Sequence, residues 1–339
     1  MPGKKTLAKK TSVPKTKEDF NINGQALGDK VENESSIITD SSKDFHINSF
    51  PVVGIGASAG GLAAFEAFFS GMPADKEPGM AFILVQHLAP DHKSILTDLI
   101  RRYTSMQVFE VEDGMKLKIN CVYIIVPNRD MALLNGNLQL LEPVAPRGQR
   151  LPIDFFFRSL AHDQQERAVC VVLSGTGSDG ALGVRAVKGE GGLVIAQSPD
   201  STEHDGMPNS AIATGMVDWV LHPAMMAEQI MAYVSHAFSK PVEKIDQKAT
   251  GAESLQKLFV LLRLQTGHDF SHYKPSTLKR RMERRMAVNQ IDHINDYVKY
   301  AQKSPDEVVS LFRDFLIGVT SFFRDPEAFT LRQLPLLNQ

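Results

Sequence analysis

Three residues whose side chains could together hydrolyse an ester or an amide follow apolar, strand-like runs. Ser58 lies in the glycine-rich turn GIGASAGG, His87 ends the run AFILVQH, and Asp179 lies in SGTGSDG, just past AVCVVLS. A serine hydroxyl becomes a nucleophile when an imidazole takes its proton, and a carboxylate fixes the tautomer of that imidazole. Ligands bind at the carboxyl ends of the strands of an open parallel sheet, so residues far apart in sequence can meet there.

Each of these residues also has a simpler interpretation. A serine in a glycine-rich turn is often a helix cap, and a histidine at a strand end is often an ordinary hydrogen-bonded residue. Asp179 stands before Gly180 at the start of a helical pattern, where it would serve as an N-cap. The occurrence of all three at matching strand ends favours the catalytic interpretation.

The turn around Ser58 fits two further motifs. Residues 56–60, GASAG, satisfy the G-x-S-x-G elbow of α/β-hydrolases, although in that class the acid precedes the histidine and several strands precede the elbow. Residues 54–59 resemble the dinucleotide pattern G-x-G-x-x-[GA], but His87 stands where that pattern wants an acid. The spacing of His87 and His92 fits no common zinc pattern, so we expect no metal.

The elements that must position these residues alternate between strand and helix. Buried strands are predicted at 52–55, 81–87, 122–126, 168–174, 192–197 and 217–221. Helices are predicted at 61–70, 93–103, 152–165, 180–190, 209–214 and 223–238. Residues 131–142 alternate around Asn135-Gly136, which predicts a hairpin with a type I′ turn. This order predicts an α/β fold with a mainly parallel sheet covered on both faces.

Composition limits the remaining possibilities. The chain has 339 residues, of which 22% are charged, and a net charge of −2, so no overall field attracts it to nucleic acid or to a membrane. It contains no apolar run near the ~20 residues of a membrane span, and we expect a cytoplasmic protein with no nucleic-acid partner and no direct membrane insertion. We divide the chain into a disordered tail (1–48), the α/β domain (49–238), a polar linker (239–254), a small all-α domain (255–330) and a truncated end (331–339).

The α/β part resembles the catalytic domain of CheB-type protein-glutamate methylesterases. The matching stretches cover about residues 50–235 in order and include GIGASAGG, LVQHLAPDHKSILTDLI, VYIIVPNRDMALL, PIDFFFRSLA, VVLSGTGSDGALGVRAVKGEGGLVIAQ and GMPNSAIATGMVDWVL. This resemblance implies a doubly wound α/β domain with Ser58 as nucleophile, His87 as general base and acid, and Asp179 as orienting carboxylate. It also implies that the backbone N–H of Thr176 is a candidate oxyanion donor. The chain departs from the family at Ala59, where a hydroxyl residue often follows the nucleophile.

A receiver domain precedes the esterase in typical CheB proteins. Residues 1–48 are too short and too polar to form one, so we do not expect control by phosphorylation of an attached aspartate.

The helical part resembles the N-terminal domain of CheR-type chemotaxis methyltransferases, in LLRLQTGHDFSHYKPSTLKRRMERRM and FLIGVTSFFRDPEAF. The resemblance implies that a basic helix faces the acidic methylation region of a receptor, a role for Lys279, Arg280, Arg281, Arg284 and Arg285. The alternative is a solvated helix face. Thr320 and Arg324 match positions that contact S-adenosylmethionine in that family, whereas Gly318 stands where the family has an asparagine. The main cofactor-binding fold of that family is not in this sequence, so we expect S-adenosylmethionine to bind only in a longer chain, and no cofactor for the esterase.

These resemblances predict the front part of a CheB–CheR fusion. The predicted activity is hydrolysis of glutamyl methyl esters on a methylated chemoreceptor or similar signalling protein. A non-catalytic signalling scaffold and a general esterase of small substrates are the alternatives. The intact set of serine, histidine and aspartate argues against the scaffold, because nothing in a scaffold requires all three.

Overall fold

A computed structural model of the chain describes residues 50–87, 95–146, 149–239 and 249–317. The predicted tail, His92, Gly318, Thr320 and Arg324 lie outside these ranges. Within them the strands are β1 Val52–Ala57, β2 Ala81–Gln86, β3 Gln107–Glu110, β4 Met115–Lys116, β5 Cys121–Ile124, β6 Asp130–Leu134, β7 Asn137–Leu141, β8 Ala168–Val172, β9 Leu193–Gln197 and β10 Trp219–Leu221. The helices are α1 Gly61–Ser70, α2 Ile95–Tyr103, α3 Pro152–Gln164, α4 Ala181–Gly189, α5 Gly206–Ala213, α6 Pro223–Val234, α7 Ala249–Thr266, α8 Pro275–Val288, α9 Ile294–Lys303 and α10 Pro305–Leu316.

Seven of the strands form one parallel sheet in the order β10-β9-β8-β1-β2-β5-β3. The chain builds the sheet outward from β1, first through β2 towards β3 and then through β8 towards β10. The direction of winding therefore reverses between β1 and β8, which is where a doubly wound sheet opens a crevice for ligands. The predicted doubly wound, mainly parallel sheet is confirmed.

Residues along each central strand alternate between two apolar cores. Val53 and Ile55 of β1 face a core that also holds side chains of α1, α2 and α6, whereas Val52 faces a core shared with α3 and α4. Burial on both faces explains why β1, β2, β8 and β9 are nearly continuous apolar runs.

The predicted hairpin is confirmed as β6 and β7, which join a second, antiparallel sheet in the order β4-β7-β6. Asn135 and Gly136 both have positive φ, 51° and 73°, as a type I′ turn requires. The sequence reasoning missed the short strands β3 and β4. Each is an edge strand of two to four residues, too short to show a period in the sequence.

Helices α7 to α10 surround a third apolar core, which includes Leu258, Met282, Tyr297 and Phe315. The predicted linker 239–254 is too long at its C-terminal end, because α7 already begins at Ala249. Its apolar spacing begins only at Leu255, so the first turn of the helix carries no periodic signal. None of the described helices has both the length and the apolar character needed to cross a bilayer.

Candidate active site

Ser58 and His87 occupy equivalent places at the ends of neighbouring strands. In the parallel pairing of β1 with β2, the last residues of the two strands, Ala57 and Gln86, lie opposite each other. Ser58 and His87 directly follow these strand ends. On the other side of β1, the backbone N–H of Ser58 donates to the carbonyl oxygen of Ser174, just past β8, at 2.8 Å. Ser58 is half-buried, and it stands beside the point where the winding of the sheet reverses.

His87 and Asp179, two of the three predicted catalytic residues, are in direct contact. His87 Nε2 lies 2.8 Å from Asp179 Oδ2, and the imidazole is 37% exposed whereas the carboxylate is 2% exposed. An exposed imidazole face with a buried carboxylate behind it suits a base that must exchange protons with a substrate. The residues are 92 positions apart, and the order of β1, β2 and β8 in the sheet brings them to the same edge.

The Asp179 carboxylate also accepts backbone N–H groups at the N-terminus of helix α3. Its Oδ2 accepts the N–H of Ile153 at 3.0 Å, and its Oδ1 accepts the N–H groups of Asp154 at 2.8 Å and of Gly180 at 2.9 Å. All three donors are fixed backbone groups, and two belong to the first turn of α3, where the helix dipole favours negative charge. With the histidine as a fourth donor, the arrangement matches an ionised carboxylate, which only accepts hydrogen bonds.

Ser174 holds the turn that carries Ser58, and the sequence reasoning missed it. Its carbonyl accepts from Ser58, while its hydroxyl lies 2.7 Å from the carbonyl oxygen of Ala59 and 2.7 Å from Thr202 Oγ1. The side chain is 1% exposed. Gly60, with φ 74°, leaves room for this hydroxyl, since a Cβ there would lie 2.5 Å from Ser174 Oγ. The only sequence signal was a hydroxyl residue closing an otherwise apolar strand.

The backbone N–H groups of Thr176, the predicted oxyanion donor, and of Ala59, directly after the serine, donate no hydrogen bond within the described ranges. Thr176 is exposed, and Ala59 precedes the N-terminus of α1. Unpaired N–H groups of this kind are the donors that stabilise a developing oxyanion.

The basic helix α8 differs from the expectation. Arg281, Arg284 and Arg285 are buried, with relative exposures of 4%, 7% and 6%, and they contact the α/β domain. Arg281 donates to the carbonyl oxygens of Lys188 and Gly189, at 3.2 and 2.9 Å. The expectation that these three arginines form an exposed basic surface for a receptor is therefore not met.

The buried arginines belong to a group of charges that joins the two parts of the chain. Arg284 pairs with Asp218 and with Asp314, the latter at 2.8 Å, and Lys188 pairs with the same two carboxylates at 2.5 and 2.9 Å. Arg285 pairs with Asp218 at 3.2 Å and binds Glu307 through two nitrogens. We call this group the interface cluster; its members are Lys188, Asp218, Arg281, Arg284, Arg285, Glu307 and Asp314.

The electrostatics of the interface cluster follow from its composition of four cations and three carboxylates. Burial acts to raise the pKa of Asp218, but Arg284 and Lys188 outweigh it and hold this pKa below its usual range. Burial lowers the pKa of Lys188, and the neighbouring charge of Arg284 lowers it further. Lys188 lies four residues after Val184 on the buried face of α4, a spacing from which its burial could have been predicted.

Lys279 and Arg280 are the members of the basic run that keep solvent exposure. The side chain of Lys279 is 34% exposed and lies 3.8 Å from Glu283, and Arg280 is exposed. The structure thus divides the five predicted receptor-binding residues into three that hold the interface and two that a partner can reach.

The parallel sheet, with Ser58 and the paired His87 and Asp179 at its edge, defines a doubly wound α/β domain. Comparison with known proteins matches residues 53–230 to the CheB methylesterase family and residues 253–316 to the all-α domain of CheR methyltransferases. This chain belongs to the CheB methylesterase family.

Individual relatives agree with this assignment. A protein-glutamate methylesterase/protein-glutamine glutaminase of Photorhabdus laumondii is 32% identical over 193 residues, which are 56% of this chain and 54% of that protein. An uncharacterised 104.1 kDa protein of Rhodobacter capsulatus is 40% identical over 259 residues, 69% of this chain and 27% of its own length. The CheB methylesterase catalytic domain of Thermotoga maritima superposes with a TM-score of 0.50 at 28% identity, over 54% of this chain and 97% of that one. The chain thus spans about half the length of the first of these proteins and about a quarter of the second.

Proposed function

We propose that this chain is a protein-glutamate methylesterase that hydrolyses γ-glutamyl methyl esters on a methylated chemoreceptor or similar signalling protein. The observation that carries the proposal is the 2.8 Å contact between His87 and Asp179 at the sheet edge where Ser58 ends the neighbouring strand. Membership of the CheB methylesterase family supports the reaction class.

In this mechanism the two nitrogens of His87 have different roles. Asp179 as a carboxylate can only accept, so Nε2 must donate the proton of that hydrogen bond. In the neutral ring the remaining nitrogen, Nδ1, then carries the lone pair. In this mechanism Nδ1 is the atom that removes the proton from the Ser58 hydroxyl.

The reaction then proceeds through an acyl-enzyme. Ser58 Oγ attacks the ester carbonyl while its proton passes to His87 Nδ1, and the resulting imidazolium is stabilised by Asp179. In this mechanism the oxyanion accepts hydrogen bonds from the N–H groups of Thr176 and Ala59. The bond between the carbonyl carbon and the methoxy oxygen breaks, and Nδ1 gives the proton to this oxygen, so that methanol leaves. Water activated by the same nitrogen releases the glutamate and restores Ser58.

Methanol release from a methylated receptor fragment tests this proposal. We expect the wild-type chain to release methanol and the Ser58→Ala variant to release none above background. Equal release by both proteins would remove Ser58 from the mechanism. Binding of the receptor fragment without any release by the wild type would instead support the signalling scaffold, and hydrolysis of small esters alone would support a general esterase.

A second reaction of the same site is favoured by the double name of the relatives, protein-glutamate methylesterase/protein-glutamine glutaminase. A glutamine side chain presents the same carbonyl to Ser58, with ammonia as the leaving group in place of methanol. Ammonia release from a receptor fragment with unmodified glutamines, lost together with methanol release in Ser58→Ala, is the expected result.

A further inference from the structure

Large apolar side chains are exposed on the outer face of the first turns of α3 and α4. Leu151, Phe155 and Leu182 have relative exposures of 44%, 43% and 49%. Leu151 and Phe155 are four residues apart on one side of α3, and the N–H of Phe155 donates to the carbonyl of Leu151 at 3.0 Å. Burying such side chains against a partner is favourable, because it removes apolar surface from water.

The first turns of the two helices lie side by side. The N–H of Gly183 donates to Asp154 Oδ1 at 2.6 Å, which ties the start of α4 to the start of α3. Gly183 permits this approach, because a Cβ at that position would clash with Cβ of Phe157. Phe155 directly follows Asp154 in the sequence, and Leu182 directly precedes Gly183. Because Asp154 and Gly183 are hydrogen-bonded, Phe155 and Leu182 lie at the same height along the two adjacent helices.

Two arginines continue this face one helical turn further on. Arg158 follows Phe155 by three residues on α3, and Arg185 follows Leu182 by three residues on α4. Both are exposed, and neither donates a hydrogen bond or forms an ion pair within the part of the chain that the structure describes. The face therefore has an apolar half and a positively charged half. We call Leu151, Phe155, Arg158, Leu182 and Arg185 the α3–α4 face.

The apolar half adjoins the candidate active site. Asp179, the partner of His87, accepts the N–H groups of Ile153 and Asp154 in the first turn of α3, and Gly180 begins the turn into α4. A polypeptide that presents a glutamyl side chain to Ser58 must rest its neighbouring residues on the surface around that site. The α3–α4 face starts within one helical turn of Asp179.

We propose that the α3–α4 face is the docking surface for the protein substrate and that its occupant is an acidic, amphipathic segment around the glutamyl ester. The apolar side chains of the segment would pack on Leu151, Phe155 and Leu182, while its carboxylates would face Arg158 and Arg185. The segment is acidic by the chemistry of the reaction, because each turnover leaves a glutamate behind. This inference rests on the proposed esterase function and adds how that function selects a protein substrate.

Two synthetic peptides test the charged half of the face. Both carry one central γ-methyl glutamate and a row of leucines, and they differ in having either glutamates or lysines on the opposite row. The wild type is expected to cleave the acidic peptide with a kcat/KM about tenfold above that of the basic peptide, a preference that weakens as salt is added. The double variant Arg158→Glu/Arg185→Glu should reverse the order. Arg102→Glu, an exposed arginine of α2 on the opposite side of the sheet, is the matched control and should keep the wild-type preference.

The apolar half is tested with Phe155→Ser, which should raise KM for both peptides and thereby lower kcat/KM. N-acetylglutamate γ-methyl ester is too small to reach the face, and every variant should cleave it at the wild-type rate. A charge preference unchanged by the double reversal would overturn the proposal, as would an equal loss on the small ester and the peptides. Failure of the wild type to cleave any of the three esters would instead refute the esterase function itself.

Discussion

Arg284 is the member of the interface cluster whose replacement should lower the stability of the folded chain most. Its guanidinium makes five hydrogen bonds, three to the carbonyl oxygens of Gly191 and Gly192 and two to the carboxylates of Asp218 and Asp314. Removing one partner from a buried ion pair typically costs about 3–5 kcal/mol, since the remaining charge stays buried. Here both carboxylates keep Lys188 as a neighbour. We therefore expect Arg284→Met to lower the free energy of unfolding by about 3 kcal/mol, the lower end of that range.

The chain provides its own probe for this experiment. Trp219 is the single tryptophan of the sequence, it follows Asp218 directly, and its ring packs edge-on against Tyr233 with centroids 6.1 Å apart. Urea unfolding followed by Trp219 fluorescence reports on the interface side of the sheet. With a slope of about 3 kcal/mol per molar urea, a loss of about 3 kcal/mol moves the midpoint down by about 1 M.

Arg280→Met is the matched control, because Arg280 lies one turn earlier on the same helix and is exposed. Its replacement should change stability by less than about 0.5 kcal/mol. A double-mutant cycle of Arg284→Met with Asp218→Asn should give a coupling energy of at least about 1 kcal/mol. If the two methionine variants unfold at the same urea concentration, the interface cluster does not stabilise the chain and the reasoning fails.

Three further outcomes are expected. Ser58→Ala, His87→Ala and Asp179→Asn should each reduce kcat for a methyl ester by about 10⁴-fold while fluorescence and circular dichroism stay native; near-normal turnover in any of them would remove that residue from the mechanism. Ser174→Ala should lower kcat on a small ester by roughly 10–100-fold with little change in KM, because the turn carrying Ser58 loses an anchor, and Ser174→Thr should recover most of it; an unchanged kcat in the alanine variant would contradict a positioning role. Because the pKa of Asp218 lies below its usual range in the folded chain, the unfolded chain binds more protons on acidification, so the stability from this group is present at neutral pH and is lost as the pH falls below about 4. The Asp218→Asn variant should show a shallower acid dependence of the Trp219 transition, and an equally steep one would refute this assignment.

Local patterns in the sequence predicted most of the α/β domain. The buried strands are continuous apolar runs because both faces of a parallel sheet are covered, and Asn135-Gly136 predicted its hairpin because both residues tolerate positive φ. The strand-end positions of Ser58, His87 and Asp179 followed from the alternation of strand and helix. These features depend on residues close together in the chain, and that is why a single sequence displays them.

Tertiary structure alone decided the contacts between distant segments. Asp179 contacts the first turn of α3 only because the connection from β7 to β8, which contains α3, brings this turn next to the end of β8. Ser174 contacts Ala59 only because β8 pairs with β1. The arginines of α8 show the difference most clearly. In the sequence they predicted a charged surface, since an isolated charge is most stable in water. They are buried because the fold brings Asp218, Glu307 and Asp314 to the same place, and only paired charges can leave solvent at acceptable cost.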